Sequence, residues 1–252
     1  MIASPRSRDF IIRVASLAAL VLLWQVGSLL LGPRKLPSPA TVAIVLGDEL
    51  SDGSLLYHLG ITLLRVAASF FVAMAIGCAV GIAMGRLPGF DRFFDSWLIV
   101  LLTFPALVAA VLCYLWFGFS ELAVVIAVAI NKIPNVAVTM REGARAISRD
   151  NLEMAAVFRF GRIKTLRHVI LPELAPFSIA AARSGLALIW KIVLVVELLG
   201  RSNGVGFQIS TFFSLFDVAS IIAYTIAFVA VVQLIEFGLL RPLDRYVVRW
   251  RR

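Results

Sequence analysis

Residues 57–85 read YHLGITLLRVAASFFVAMAIGCAVGIAMG, a stretch in which Arg65 is the only charged side chain. A helix needs about 20 mainly apolar residues to cross the hydrocarbon core of a bilayer. Lipid offers no hydrogen-bond partner to backbone amides, so a helix is the form that satisfies a single run of this length. The stretch therefore predicts a transmembrane helix.

Five further runs have the same apolar character. Of the 252 residues, 61% are hydrophobic and 15% are charged, and the mean hydropathy is +0.95, which is far from the balance of a water-soluble domain. The predicted fold class is an all-α membrane protein with six transmembrane helices in a single domain over residues 1–252. The other five predicted spans are 11–31, 93–117, 122–140, 174–199 and 218–240.

The distribution of basic residues predicts the orientation, because cytoplasmic loops of membrane proteins are rich in lysine and arginine. The opposite side keeps only Arg34, Lys35 and Arg201. Both termini are therefore expected in the cytoplasm, and the first run is expected to be retained, since it is longer than the core of a signal peptide. The basic residues assigned to the cytoplasmic side are Arg6, Arg8, Arg13, Arg86, Arg92, Arg141, Arg145, Arg149, Arg159, Arg162, Lys164, Arg167, Arg241, Arg245, Arg249, Arg251 and Arg252.

Proline and glycine predict three local features. Pro39, preceded by Ser38 as a cap, predicts a short helix at 39–50 on the outer surface. A glycine every four residues in the second run predicts close packing of a neighbouring helix. Two prolines are expected to interrupt helices, either to line a cavity with freed carbonyls or to improve packing. These residues are Gly77, Gly81, Gly85, Pro105 and Pro134.

The loop at 141–172 is too polar to cross a membrane and too regular to be a passive connection. Asp150 is predicted to cap a short helix that ends at Gly161. A second short helix over 162–170 is expected to end before Pro172. The first helix has an apolar face and two small residues expected at its front. These residues are Met154, Val157 and Phe158 for the face, and Ala155 and Ala156 for the front.

The sequence EMAAVFRFGRIKTLRHVILP, residues 153–172, resembles the EAA loop of permease subunits of bacterial ABC importers. Met154 departs from the alanine of the family motif. Landmarks similar to the nitrate, sulfonate and taurine branch extend over nearly the entire chain. They are 36–39, 58–69 with Arg65, Pro105, 116–121, Ile133 with Pro134, and 183–197.

The resemblance implies a type I ABC importer permease fold, in which this loop is a cytoplasmic coupling helix between spans four and five. It implies the bacterial inner membrane and a second permease subunit, either another copy of this chain or a close paralogue. It also implies two copies of a separate ATPase that binds ATP and Mg, and a periplasmic or lipid-anchored substrate-binding protein. No nucleic acid is expected as a partner. The residues implied in ATPase coupling are Glu153, Ala155, Ala156, Gly161, Leu171 and Pro172.

Charged residues inside the spans are candidates for a pathway, because each costs about 2.5 to 3.5 kcal/mol at mid-membrane. Arg183, Trp190 and Glu197 recur every seven residues and are predicted to share one helix face. Arg183 is expected either in an ion pair or on substrate, and Glu197 either on the pathway or at the surface. Lys191 is expected to pair with Glu236 on the sixth span or to contact an anion. Arg65 is expected to be structural.

The sequence argues against two other classes of protein. A secondary transporter often shows inverted repeats and buried acids for ion coupling, and neither is evident. A membrane enzyme needs a constellation of His, Asp or Cys, and His58 and His168 are isolated. We expect no catalytic, cofactor or metal site, and no ATPase activity, because the chain lacks a phosphate-binding loop. Sulfonates, taurine and nitrate are the leading substrates, with pyrimidine or flavin precursors and aromatic acids as alternatives.

Overall fold

A computed structural model of the chain describes residues 5–240 and Pro242. The predicted cytoplasmic arginines of the tail lie outside the described residues, as do the side chains of Arg6, Arg8 and Arg13. Every regular element in the described part is helical, which confirms the all-α prediction. The helices are α1 (Pro5–Leu31), α2 (Pro39–Ser51), α3 (Ser54–Arg86), α4 (Pro88–Thr103), α5 (Ala106–Phe117), α6 (Glu121–Arg145), α7 (Arg149–Val157), α8 (Arg162–Thr165), α9 (Leu171–Gly200), α10 (Val205–Ser214) and α11 (Val218–Ile235).

Five helical stretches of the described chain are long and apolar enough to cross a membrane, and the pair α4 and α5 makes a sixth if it counts as one broken span. The two helices of the pair meet at 97°. The predicted span over 93–117 corresponds to this broken pair, and the interruption expected at Pro105 is confirmed. Pro105 causes the break, since it lacks an N–H and holds Phe104 in an extended conformation.

Pro134 and Pro172 do not end helices, contrary to the sequence prediction. α6 continues through Pro134. The helix that begins at Arg162 continues through a π-helical turn at Leu166–Ile170 into α9, so the predicted stop before Pro172 is absent. The wider turn precedes Pro172 and accommodates the clash that a proline ring makes with the carbonyl four residues earlier.

α3 and α6 pack closely along the predicted glycine stripe. A Cβ on Gly77 would lie 2.6 Å from Cβ of Val136, and one on Gly85 would lie 2.5 Å from Cβ of Ala144. Because the contacts on both helices advance in the same direction, α3 and α6 run parallel. The packing role predicted for the glycines is confirmed, and α9 lies against both helices of this pair.

α2 packs against α11 and α3. Ser38 caps it through a bond from the Thr41 N–H, as the sequence predicted. The hydroxyl of Tyr224 on α11 donates to Glu49 at 2.8 Å and lies 3.3 Å from the hydroxyl of Ser54. These contacts join α2 and the start of α3 to α11. α10, between α9 and α11, was not predicted.

Candidate functional site

The polar loop after α6 is held at both of its ends. At the end of α6, Arg141 bonds Asp95 and Arg145 bonds Asp91, each at 2.6 Å, which joins α6 to α4. At the start of α9, the carboxylate of Glu173 accepts the backbone N–H of Ser148 at 2.8 Å. The loop is therefore attached to the bundle through defined polar contacts at two places.

Glu173 makes α7 and α9 one unit. Besides the Ser148 N–H, its carboxylate accepts the side-chain amide of Asn151 at 2.6 Å. Ser148, and not the predicted Asp150, caps α7 by accepting the N–H of Asn151. The predicted cap is wrong because α7 begins at Arg149, so Asp150 already lies within its first turn. Nothing in local sequence patterning marked Glu173.

The surface of α7 and α8 that faces away from the bundle is apolar. Val157 is 79% exposed and Ile163 82% exposed, and Phe158 is also exposed. Glu153 and Ala156 lie on the same exposed surface. We call the exposed side chains of residues 153–163 the docking surface. Exposed large apolar side chains on a polar loop are typical of a protein interaction site.

Ala155 is not part of the docking surface. Its side chain is 1% exposed and faces the bundle, and its carbonyl accepts the N–H of Phe160 at 2.8 Å. The prediction that Ala155 stands exposed beside Ala156 is wrong, because neighbouring helical residues point about 100° apart. Ala155 instead allows α7 to lie close to the bundle. Leu171 and Pro172, the other predicted coupling residues, are exposed at the start of α9.

The turn after α7 uses Arg159 in place of Gly161. Arg159 has a φ of 51°, in the left-handed region, whereas Gly161 has a φ of −65° and ψ of 163°, which any residue adopts. A Cβ on Gly161 would meet nothing within 4 Å. α7 therefore ends at Val157 and not at the predicted Gly161, and the bend does not require a glycine at position 161.

A groove between α9 and α11 contains three of the four predicted pathway residues. One cavity of about 490 Å³ is lined by Trp190 and Lys191. A second, of about 570 Å³, is lined by Arg183, and Glu236 lines both. Trp190 forms part of the wall and packs edge to face on Phe228 at 5.8 Å.

The charges of the groove leave one cation uncompensated. Glu236 pairs with Arg183 at 3.1 Å, which fulfils the ion-pair expectation for Arg183. The expected pairing of Lys191 with Glu236 is wrong, and Lys191 forms no ion pair with any described residue. Its ammonium lies on an exposed stretch of α9 beside Trp190. The groove is therefore partly apolar, and the described charged residues that line it are two cations and one anion.

Glu197 lies apart from the groove, in a buried network near the C-terminal end of α9. Its side chain is 0% exposed, so the expectation of a surface acid is wrong. The carboxylate accepts Nη1 of Arg65 at 2.7 Å and the N–H of Gly206 at 2.9 Å. Arg65 also bonds Glu121 and the carbonyl of Asn203. The network ties α3 to α6, α9 and the start of α10.

Within residues 5–240, no group of three or more His, Cys, Asp or Glu side chains is arranged to hold a metal ion. His58, one of the two histidines, accepts the N–H of Gly204 through Nδ1 and so helps to hold the turn before α10.

The comparison with known proteins decides the family. The model of the family described as binding-protein-dependent transport system inner membrane component matches residues 62–245, well over half of the chain. The chain belongs to this permease family. It is a multi-pass inner-membrane component of an ABC importer, and the resemblance inferred from residues 153–172 is confirmed.

Curated relatives align with almost the entire permease. SsuC of Bacillus subtilis (strain 168), whose name refers to aliphatic sulfonates transport, is 29% identical over 93% of this chain and 85% of its own. The taurine transport system permease protein TauC of Escherichia coli (strain K12) is 28% identical, with coverages of 98% and 92%. The riboflavin transport system permease protein RibX of Chloroflexus aurantiacus is 30% identical, with coverages of 93% and 88%.

The permease also shares its fold with a solved transporter. An inward-facing structure of the MetNI methionine ABC transporter matches with a TM-score of 0.67 and 19% sequence identity, over 79% of this permease and 98% of that chain. At this identity the match shows the fold alone. It confirms the predicted type I importer permease fold.

Proposed function

We propose that this permease carries a small anionic solute, such as a sulfonate, taurine or nitrate, and that its docking surface binds a separate ATPase. The ATPase would bind ATP and Mg and act in two copies, with two permease copies between them. A binding protein would deliver the solute at the outer face, and both termini would lie in the cytoplasm.

The observation that carries the proposal is the exposed apolar docking surface on a segment that is fastened to α9. Val157 and Ile163 are mostly exposed in a basic loop, where water contact costs free energy unless a partner covers them. Glu173 connects the same segment to the first turn of α9. A partner that moves the docking surface therefore moves a helix that crosses the membrane.

The connection to α9 supports transport by alternating access. α9 forms one wall of the groove, and α11 forms the other. When ATP draws the two ATPase copies together, the docking surfaces follow, and α9 changes its position relative to α11. The groove then opens toward one side of the membrane at a time, and ATP hydrolysis resets it.

The charge of the groove supports an anionic solute. Arg183 and Glu236 neutralise each other, which leaves Lys191 to attract an anion. The name of the relative SsuC refers to aliphatic sulfonates, and that of TauC refers to taurine. RibX, named for riboflavin, makes an uncharged solute the main alternative outcome of a binding test.

The test is copurification of the permease with its ATPase from detergent-solubilised membranes. Val157→Asp and Ile163→Asp should each reduce the recovered ATPase at least fivefold, because a charge in an apolar interface must be desolvated. Leu215→Asp is the matched control, since Leu215 is a similarly exposed residue that follows α10. Undiminished ATPase recovery with both docking-surface variants would contradict the proposal, as would gradient-driven uptake by vesicles that contain the permease alone.

A further inference from the structure

Lys132 is a buried cation without a partner in the described part of the permease. It lies near the middle of α6, its side chain is 1% exposed, and its amine forms no hydrogen bond or ion pair within residues 5–240. Arg65, the other deeply buried cation, contacts Glu121 and Glu197. The two buried cations therefore have different roles.

α9 makes room for Lys132 at Gly185. A Cβ on Gly185 would lie 2.8 Å from Cε of Lys132 and 3.6 Å from its Nζ. A side chain at position 185 would displace the lysine stem. The amine therefore lies in the contact between α6 and α9. The residues on either side of Gly185, Ser184 and Leu186, line the two cavities of the groove.

Packing does not explain a lysine at this position. Methionine or leucine would fill a similar volume without removing an ammonium group from water. Ionisable residues that persist inside a membrane, with the charge facing the interior of a bundle, mark ion and substrate pathways. Lys132 meets this criterion, which is the one that singled out Arg183 and Lys191 on α9.

We propose that Lys132 is an anion-binding residue of the translocation pathway, which meets the solute when α9 moves away from α6. The inference rests on the proposed function. It adds to Lys191 a second position on the pathway at which an anionic solute binds. In the structure described here, α9 covers the amine. A shift of α9 uncovers an ammonium group that attracts an anion and has no competing carboxylate beside it.

The attachment of α9 supplies the motion that this role requires. Glu173 fastens the first turn of α9 to α7, so a displacement of the docking surface is transmitted to the helix that covers Lys132. α6 is held separately, through the bonds of Arg141 and Arg145 to α4. The bonds to α4 hold α6 in place, and the proposal requires α9 to move relative to it.

The chemistry of the site favours a small oxyanion. A lysine ammonium is a compact point charge that binds sulfonate, carboxylate or nitrate oxygens without requiring the planar geometry of an arginine. Lys191 lies about 9 Å further along α9 than Gly185, at about 1.5 Å per residue. The two lysines place cations at two depths, and an anion can pass from one to the other.

The first experiment measures whether position 132 becomes accessible in the complete transporter. Lys132→Cys is made in a permease whose Cys78 and Cys113 are alanine, reconstituted with its ATPase. The probe is 2-sulfonatoethyl methanethiosulfonate, itself a small sulfonate, applied without nucleotide and after trapping with ATP and vanadate. Ala137→Cys is the matched buried control on α6. Labelling of position 132 at least tenfold faster than position 137 in one state supports the proposal, and equally slow labelling in both states overturns it.

The second experiment tests the charge. Ser184→Cys places a thiol in the groove beside Lys132. The rate at which the anionic reagent labels this thiol, divided by the rate for a cationic trimethylammonium analogue, measures the local electrostatic potential. Lys132→Met should lower the anionic to cationic ratio about tenfold in the state that exposes position 132, whereas Lys132→Arg should retain it. An unchanged ratio with Lys132→Met overturns the anion role.

ATPase copurification distinguishes a failure here from a failure of the proposed function. Lys132→Met leaves the docking surface intact, so it should recover the ATPase as the unaltered permease does. Normal recovery with negative labelling results overturns the anion site alone. Failure of the ATPase to copurify with the unaltered permease overturns the proposed function.

Discussion

Glu173 accepts the backbone N–H of Ser148 at 2.8 Å, and this contact joins the cap of α7 to the first turn of α9. Two helices that are adjacent in space could slide past each other if only apolar surfaces touched. A carboxylate that holds both the Ser148 N–H and the Asn151 amide prevents such sliding. Under the proposed function, this pair transmits force from the docking surface to the membrane helices.

Removal of the Glu173 carboxylate should uncouple ATP hydrolysis from transport. Glu173→Ala loses two hydrogen bonds, each worth about 1 kcal/mol or somewhat more with a charged acceptor. The ATPase should still copurify, because the docking surface is unchanged, but the solute transported per ATP hydrolysed should fall at least fivefold in proteoliposomes.

The control for this variant is Glu142→Ala. Among the described residues, the carboxylate of Glu142 forms ion pairs only with Arg141 and Arg145 on its own helix. Its loss should therefore leave the coupling ratio within twofold of the unaltered value. Equal coupling ratios for the Glu173 and Glu142 variants would contradict the role assigned to Glu173.

Gly161 should be dispensable for the fold of the isolated permease. Gly161→Val places a Cβ in open space at an ordinary backbone conformation, so the thermal midpoint should stay within about 2 °C. Arg159→Val should lower it clearly more, because a β-branched residue is strained at positive φ. ATPase copurification should nevertheless fall with Gly161→Val, since the added bulk lies on the docking surface. A larger loss of stability at position 161 than at 159 would refute this account of the turn.

Glu197 should be required for folding more than for contact with the substrate. The Glu197 carboxylate is buried and bonds three residues, Thr62, Arg65 and Gly206, so its removal should affect assembly. Its removal leaves Arg65 with less compensation inside the bundle, a change that typically costs about 3 to 5 kcal/mol. Thermal unfolding in detergent measures the effect, and Glu121→Ala, whose side chain is 57% exposed, should cost much less.

Lys191 should control anion uptake without affecting assembly. Lys191→Ala removes the uncompensated cation of the groove and should reduce initial uptake of the anionic solute about three- to tenfold, with normal ATPase copurification. Lys164→Ala removes a lysine from the cytoplasmic segment and serves as the charge-matched control. Identical uptake kinetics for Lys191→Ala and the unaltered permease would remove Lys191 from the pathway.

Local pattern predicted the elements of this fold, whereas contacts between distant residues decided its site. Apolar length predicted the membrane helices, and glycine spacing predicted that α3 would pack closely against a neighbour. The sequence could not predict that the helix breaks at Pro105 but continues through Pro134. Both prolines occur in apolar runs, and packing decides which helix bends. The hydrogen bonds of Glu173 and the ion pair of Arg183 join residues that are distant in sequence. Predicting them requires knowing which helices touch.

The sequence alone also contained a signal that was missed. Lys132 is a charged residue inside a predicted span. Because charged residues inside spans are candidates for the pathway, Lys132 belonged with Lys191 among those candidates. Ala155 shows what a family motif cannot predict. The motif identifies a segment, but it does not determine which of two adjacent alanines faces outward. That orientation follows from how α7 lies on the bundle.

The most direct test of the account is a photo-crosslink from the docking surface to the ATPase in intact cells. A photoreactive phenylalanine analogue at Phe158 should crosslink to the ATPase, and the yield should change when ATP is depleted. The same analogue at Phe213, an exposed residue of α10, should give no such product. Absence of an ATPase crosslink at position 158, or labelling of that position by an impermeant reagent added outside the cell, would contradict the account.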